Sequence, residues 1–209
     1  MPPEETLASP QLPLWLKLAY TAFLAVLVPY YWYQYTPLNF LWFCDVALLL
    51  TLPALWLENK LLTSMQVIAI TLPQLLWIVD FLVRMVTGLP VVGLTDYMFD
   101  AKIPLFTRGL SLFHGWLPIM LLWMVWKLGY DPRAFPAQVL LGWVVLLLSY
   151  FLTTSPTGPA GNVNKVFGPG ETEPQTWMDP RLWLATLLAF YPVCIYLPTH
   201  LLARWLLPR

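Results

Sequence analysis

Charge is what this chain has least of. Only 11% of its 209 residues are charged, against about 25% in a soluble domain. Eleven basic residues balance eleven acidic ones, so there is no basic face of the kind that nucleic-acid binding demands. Cysteine is scarce too. Cys44 and Cys194 both fall in apolar runs, and no structural disulfide is expected between them. The two histidines, His114 and His200, belong to opposite ends of the molecule, and no HxxxH or HExxH spacing occurs. A mixed carboxylate–imidazole set from Asp45, Asp80 and His114 is conceivable, but neither a metal nor any other cofactor is expected. Phosphate-cradling loops, dinucleotide fingerprints and lipase elbows are absent. So is an internal repeat, which removes support for a transporter built from inverted halves. The start, Met1-Pro2-Pro3-Glu4-Glu5, lacks the basic region of a secretory signal, and the first apolar run is too long for one; it is expected to be retained.

What the chain has in abundance is apolar length. It is 59% hydrophobic and 16% aromatic, with a mean hydropathy of +0.65. About 20 helical residues cross the ~30 Å hydrocarbon core. Runs of that order lie at about 14–33, 37–57, 61–86, 104–126, 136–152 and 180–204. They are continuously apolar rather than alternating, and an open sheet cannot satisfy its backbone in lipid. The expected fold is therefore all-α, a single polytopic bundle of about six transmembrane helices. Pro53, Pro73, Pro118 and Pro192 predict kinks inside it. Residues 153–179 form a long Gly- and Pro-rich loop, whose Phe167 and Trp177 are candidates to lid the bundle.

Six spans put both termini on one side. That side carries Lys17, Lys60, Lys127, Arg133, Arg204 and Arg209; the other carries Arg84, Lys102, Arg108, Lys165 and Arg181. Arg84 and Arg108 are partly inside spans and count less, so the basic-residue rule places the termini in the cytoplasm. The long loop then faces outward.

The few charges inside the spans share a depth. With a rise of 1.5 Å per residue, Asp45 lies roughly 12 Å below the outer face, Asp80 about 9 Å, Arg84 about 3 Å, Arg108 about 6 Å and His114 about 15 Å. Asn162, Asn164 and Lys165 of the outer loop hang over the same face. Ionisable groups in hydrocarbon are costly unless paired or wetted, so such a cluster marks a candidate site. Two readings compete. In one, Asp80 pairs with Arg84 four residues on, Asp45 pairs with Arg84 or Arg108, and the charges only pin helices together. In the other, His114 is a general base oriented by Asp45 or Asp80. Arg84, Arg108, Asn162, Asn164 and Lys165 then form the binding set for a head group. Thr107, Ser111, His114 and Pro118 follow a helical stripe. Cys44 is better read as an apolar filler than as a nucleophile.

Four blocks carry a resemblance: Asn39-Phe40-Leu41-Trp42-Phe43-Cys44-Asp45, Asp96-Tyr97-Met98-Phe99-Asp100, Arg108-Gly109-Leu110-Ser111-Leu112-Phe113-His114, and Asn162-Val163-Asn164-Lys165-Val166-Phe167-Gly168. Over nearly its whole length the chain resembles a family of small bacterial multi-pass proteins known only as "membrane-associated protein". The resemblance implies a bacterial inner-membrane setting and no particular chemistry. In layout it is also similar to the YwaF-like integral membrane proteins and their acyltransferase relative: Pro37-Leu38 through Cys44, His114, and Asn162/Asn164 fall in similar order, with the Cys displaced from the Pro-Leu pair. The expected function is a pocket in the outer half of the bundle that binds or acts on a membrane lipid, by acyl transfer or a related modification if it is an enzyme. The alternative is a non-catalytic scaffold or subunit that docks a membrane-protein partner.

Overall fold

The computed structural model describes residues 11–153, 155–157, 161–170 and 173–208. The N-terminal run Met1 to Glu5, Gly158 of the long loop and Arg209 lie outside them. The described chain is helical, with no strand among those residues. In order it forms α1 (Leu14–Gln34), a 3-10 turn (Pro37–Leu41), α2 (Phe43–Trp56), α3 (Lys60–Thr87), α4 (Asp96–Phe99), α5 (Leu105–Ser111), α6 (Phe113–Leu128) and α7 (Ala134–Thr153). A 3-10 turn (Val163–Lys165), α8 (Pro180–Phe190), a π-helical turn (Tyr191–Tyr196) and α9 (Leu197–Leu206) complete it.

Five helical stretches are long and apolar enough to cross a membrane: Leu14–Gln34, Lys60–Thr87, Leu105–Leu128, Ala134–Thr153 and Pro180–Leu206. The expected span at 37–57 is different. Trp42 adopts an extended ψ of 135° and splits it into the 3-10 turn and the 14-residue α2. At 1.5 Å per residue α2 is only about 21 Å long. Turn and helix together still return the chain to the end where α1 began. There Lys17 Nζ meets Glu58 Oε1 at 2.8 Å, and Trp56 Nε1 donates to Thr21 Oγ1 at 3.0 Å.

Helix α3 is the axis of the bundle. It packs against α2, α6, α7 and α9, and Thr63 through Thr71 are buried without interruption. A stretch buried on every side is what the middle of a bundle requires; farther along the same helix Leu75, Leu76 and Val79 reach the outside. Leu48, Leu117 and Leu121 are fully buried around it. Trp15, Ile119, Leu140 and Phe151 stand on the outside, where a bilayer covers them at no cost.

Polar clamps close the end of the bundle that carries Lys17. Glu58 accepts from the Gln11 and Leu12 amides as well as from Lys17. Partial burial opposes its charge, but the Lys17 and backbone bonds outweigh that and hold the carboxyl below its usual range. Asp131 is gripped by Arg133 through Nε and Nη2, and that pairing lowers its carboxyl too. Its amide donates to Ser64 Oγ at 3.0 Å, tying the α6–α7 turn to α3.

Candidate functional site

The spans do not all run unbroken, and the breaks build the site. Gly109 and Gly115 flank Leu112, where α5 stops and α6 begins. The Gly115 amide bonds the Leu112 carbonyl three residues back, which frees the Ser111 carbonyl from the α-helical ladder. His114 Nδ1 takes it up at 2.7 Å. A carbonyl only accepts, so in the neutral ring Nδ1 carries the proton and Nε2 keeps its lone pair. The imidazole stacks on Trp77, with centroids 5.2 Å apart, and on Phe113, 4.1 Å away. The 107–111–114 stripe survives the break: Tyr30 bonds Thr107 at 2.5 Å and Tyr31 bonds Ser111 at 3.1 Å, holding α5 against α1.

The break at Trp42 builds the opposite wall. It exposes the first amide of α2, and Asn164 of the long loop caps it: Oδ1 accepts from Phe43 N at 3.0 Å. The same amide group donates to the Leu41 carbonyl and to Ser149 Oγ. Asn164 does this from a left-handed backbone conformation, φ 51°, which asparagine tolerates better than most residues. The loop is braced behind it by Gln175 N donating to Phe167 O. At Gly168, with φ 139°, a Cβ would lie 2.8 Å from that Gln175 nitrogen, so only glycine fits.

Between these walls lies a cavity of about 430 Å³, within the ~300–1,000 Å³ of small-molecule sites. Asp45, His114, Asn164 and Lys165 all line it, together with Gln74 and Cys44. Asp45 is 4% exposed and sits in the first turn of α2. One of its oxygens receives a long 3.4 Å contact from Asn39 Nδ2. The other, Oδ1, has no hydrogen-bond partner among the described residues. Gln74, 2% exposed, has neither amide atom partnered among them. Trp77 Nε1 donates to the phenol of Tyr97 at 3.2 Å, and burial raises that phenol above its usual range, so it stays protonated.

The other predicted site residues do not line this cavity. Asp80 is fully buried and folds the loop after α3 around itself. Its Oδ1 accepts from Val91, Val92 and Gly93 amides, and its Oδ2 from Thr95 N and Oγ1. Arg84 pairs with Asp96 and lies 5.0 Å over the Phe99 ring; it pairs with neither Asp80 nor Asp45. Arg108 donates to the Met98 carbonyl. Asn162 bonds the Gly168 and Gly170 carbonyls and the Phe167 amide. These four fix the loops that roof this end of the bundle. Phe167 packs on Tyr150, while Trp177 stands exposed against Trp183; neither lines the cavity, and the loop reaches it through Asn164 and Lys165 instead.

Gln74 is the residue sequence reasoning passed over. Its signal is an amide in an apolar run directly after Pro73; Gln66, two turns earlier, is as buried and as unpartnered but does not line the cavity. That proline has no N–H for the Ala69 carbonyl one turn back, and Ala69 and Pro73 both line the cavity. No group of His, Cys, Asp or Glu among the described residues could hold a metal ion. Compared with known proteins, the chain matches no family model, no curated protein and no solved structure.

Proposed function

We propose that this is a multi-pass protein of the bacterial inner membrane, with both termini in the cytoplasm, whose outer-half cavity binds the polar head of a lipid or similar amphiphile. One observation carries the reading: a buried carboxylate oxygen on Asp45 without a partner among the described residues, facing a cavity that also holds His114 and Gln74. A buried polar atom left unpaired costs about 1–3 kcal/mol, a cost that a bound ligand removes. The resemblance to bacterial membrane-associated proteins and the weak excess of basic residues on the side of the termini support the setting. Asp45 and His114 Nε2 meet the head group, with Lys165 and Asn164 at the wall toward the long loop. Should the ligand be chemically changed, His114 Nε2 is the proton acceptor. Asp80, Arg84, Arg108 and Asn162 are the frame rather than the binding set.

The test is to fill the cavity. Ala69→Phe puts a ring into its wall, and native mass spectrometry of the detergent-extracted protein reads any retained amphiphile. Retention by the wild type and loss in the variant, at similar melting temperatures, is the expected result. Lipidomics of a deletion strain would reveal turnover. The structural partners of Asp80, Arg84, Arg108 and Asn162 favour a second reading, a scaffold without a ligand. Under it, filling the cavity changes nothing and no lipid changes in the deletion strain.

A further inference from the structure

We propose that the group bound beside Asp45 is a primary ammonium, an inference that rests on the ligand-binding reading above and names the chemistry of the head. The carboxylate of Asp45 is buried, and it takes no part in the ion pairs Lys17–Glu58, Arg84–Asp96 and Arg133–Asp131 found among the described residues; Lys165 lines the same cavity, at the wall toward the long loop. The two arginines at its depth are engaged elsewhere, with Asp96 and with the Met98 carbonyl. Burial penalises a bare charge on Asp45 more than the dipole at the first turn of α2 offsets, and a cation brought by a ligand relieves that penalty. An anionic head at the same spot would meet a carboxylate that already answers that helix end.

The count of acceptors selects among cations. Asp45 Oδ1 and Gln74 Oε1 have no donor among the described residues, and the neutral His114 ring keeps the Nε2 lone pair through its Ser111 contact. All three residues line one cavity. A primary ammonium brings three N–H donors. A quaternary ammonium brings none and would leave the three acceptors bare; a hydroxyl brings one and no charge. Aromatic rings complete the enclosure: Tyr31, Trp42, Trp77, Tyr97 and Tyr191 also line the cavity, and ring faces attract a desolvated cation. The remaining Gln74 Nε2 donor suits an oxygen neighbouring the amine.

The experiment uses the full chain in detergent and measures calorimetric binding of dodecylamine, dodecanol and dodecyltrimethylammonium, for the wild type, Asp45→Asn and Gln74→Met. Charged hydrogen bonds set the scale: the wild type should bind dodecylamine roughly tenfold or more tighter than either other probe. Asp45→Asn, which keeps the side-chain volume, should erase that preference, and Gln74→Met should reduce it should the Asp45 variant fold poorly. A parallel arm asks where the amine comes from. Protein in nanodiscs of phosphatidylethanolamine or of phosphatidylglycerol is released into native mass spectrometry. Retention of the ethanolamine lipid alone assigns the ammonium to a head group; dodecylamine binding without lipid retention assigns it to a free amine, and both support the inference. Equal binding of all three probes overturns the ammonium while leaving an amphiphile pocket standing. No binding of any probe, with neither lipid retained, overturns both.

Discussion

Asp80→Asn separates a frame residue from a catalytic one. The carboxylate takes five hydrogen bonds from one loop: three amides on Oδ1 at 2.8 to 3.2 Å, and Thr95 N and Oγ1 on Oδ2 at 2.9 and 2.6 Å. Asparagine keeps the shape and one acceptor. Its NH₂ then faces the Thr95 amide, donor against donor, and the hydroxyl must turn round. Two charge-assisted bonds are lost at about 1.5–3 kcal/mol each, with partial relaxation, so the loop should lose roughly 3–5 kcal/mol. That corresponds to about 10²–10⁴-fold faster amide exchange at Val91, Val92, Gly93 and Thr95. Hydrogen exchange with peptide-level mass spectrometry reads it directly. Because Leu94 and Tyr97 line the cavity, amphiphile binding should weaken as the loop opens. An Asp80→Asn protein with wild-type exchange across 91–95 would refute this assignment. Unchanged exchange together with lost turnover would instead return Asp80 to the chemistry.

Three further outcomes follow from the same geometry. Glu58 has a carboxyl held below its usual range, so its contribution is complete above about pH 4.3 and is lost as the pH falls through the lowered folded value; the melting temperature in detergent should drop in that acid window, and Lys17→Met should flatten the drop. Asn164→Ala removes the cap of α2 and two further bonds, which should cost about 2–4 kcal/mol and be seen as a lower midpoint of denaturation, with Asn164→Asp recovering the Phe43 contact alone. Gly142→Ala places a Cβ 2.6 Å from the Tyr196 hydroxyl, an overpacking cost of about 1–3 kcal/mol; Tyr196→Phe should recover part of it in a thermal melt.

Apolar length located the crossings, since hydropathy reports where the backbone must satisfy itself. It did not locate the breaks at Trp42 and Leu112. The first is stabilised by Asn164, 121 residues from Phe43, and the second by the contacts of Tyr30, Tyr31 and His114; the only local signatures are Pro37 before the first and Gly109 and Gly115 around the second. Depth arithmetic brought Asp45 and His114 to one level, and they do share a cavity. The same arithmetic placed Asp80, Arg84 and Arg108 in the same half of the bundle, but depth says nothing about which neighbour a side chain reaches. Asp80 is claimed by the amides of its own following loop, and both arginines by α4 and its flanks. Gln74 was legible only as an anomaly of composition, because an uncharged amide gives no hint of whether its partners come from the chain or from a ligand.

On this reading the chamber between α2, α3 and α6 holds a guest at Asp45. Cryo-electron microscopy of the protein extracted with its native lipids, at a resolution that separates a head group from water, tests it most directly. The expected map shows elongated density in the chamber with a polar atom within hydrogen-bond reach of Asp45 Oδ1 and near His114 Nε2. A chamber filled only by water, or closed by its own side chains around Asp45, would contradict it.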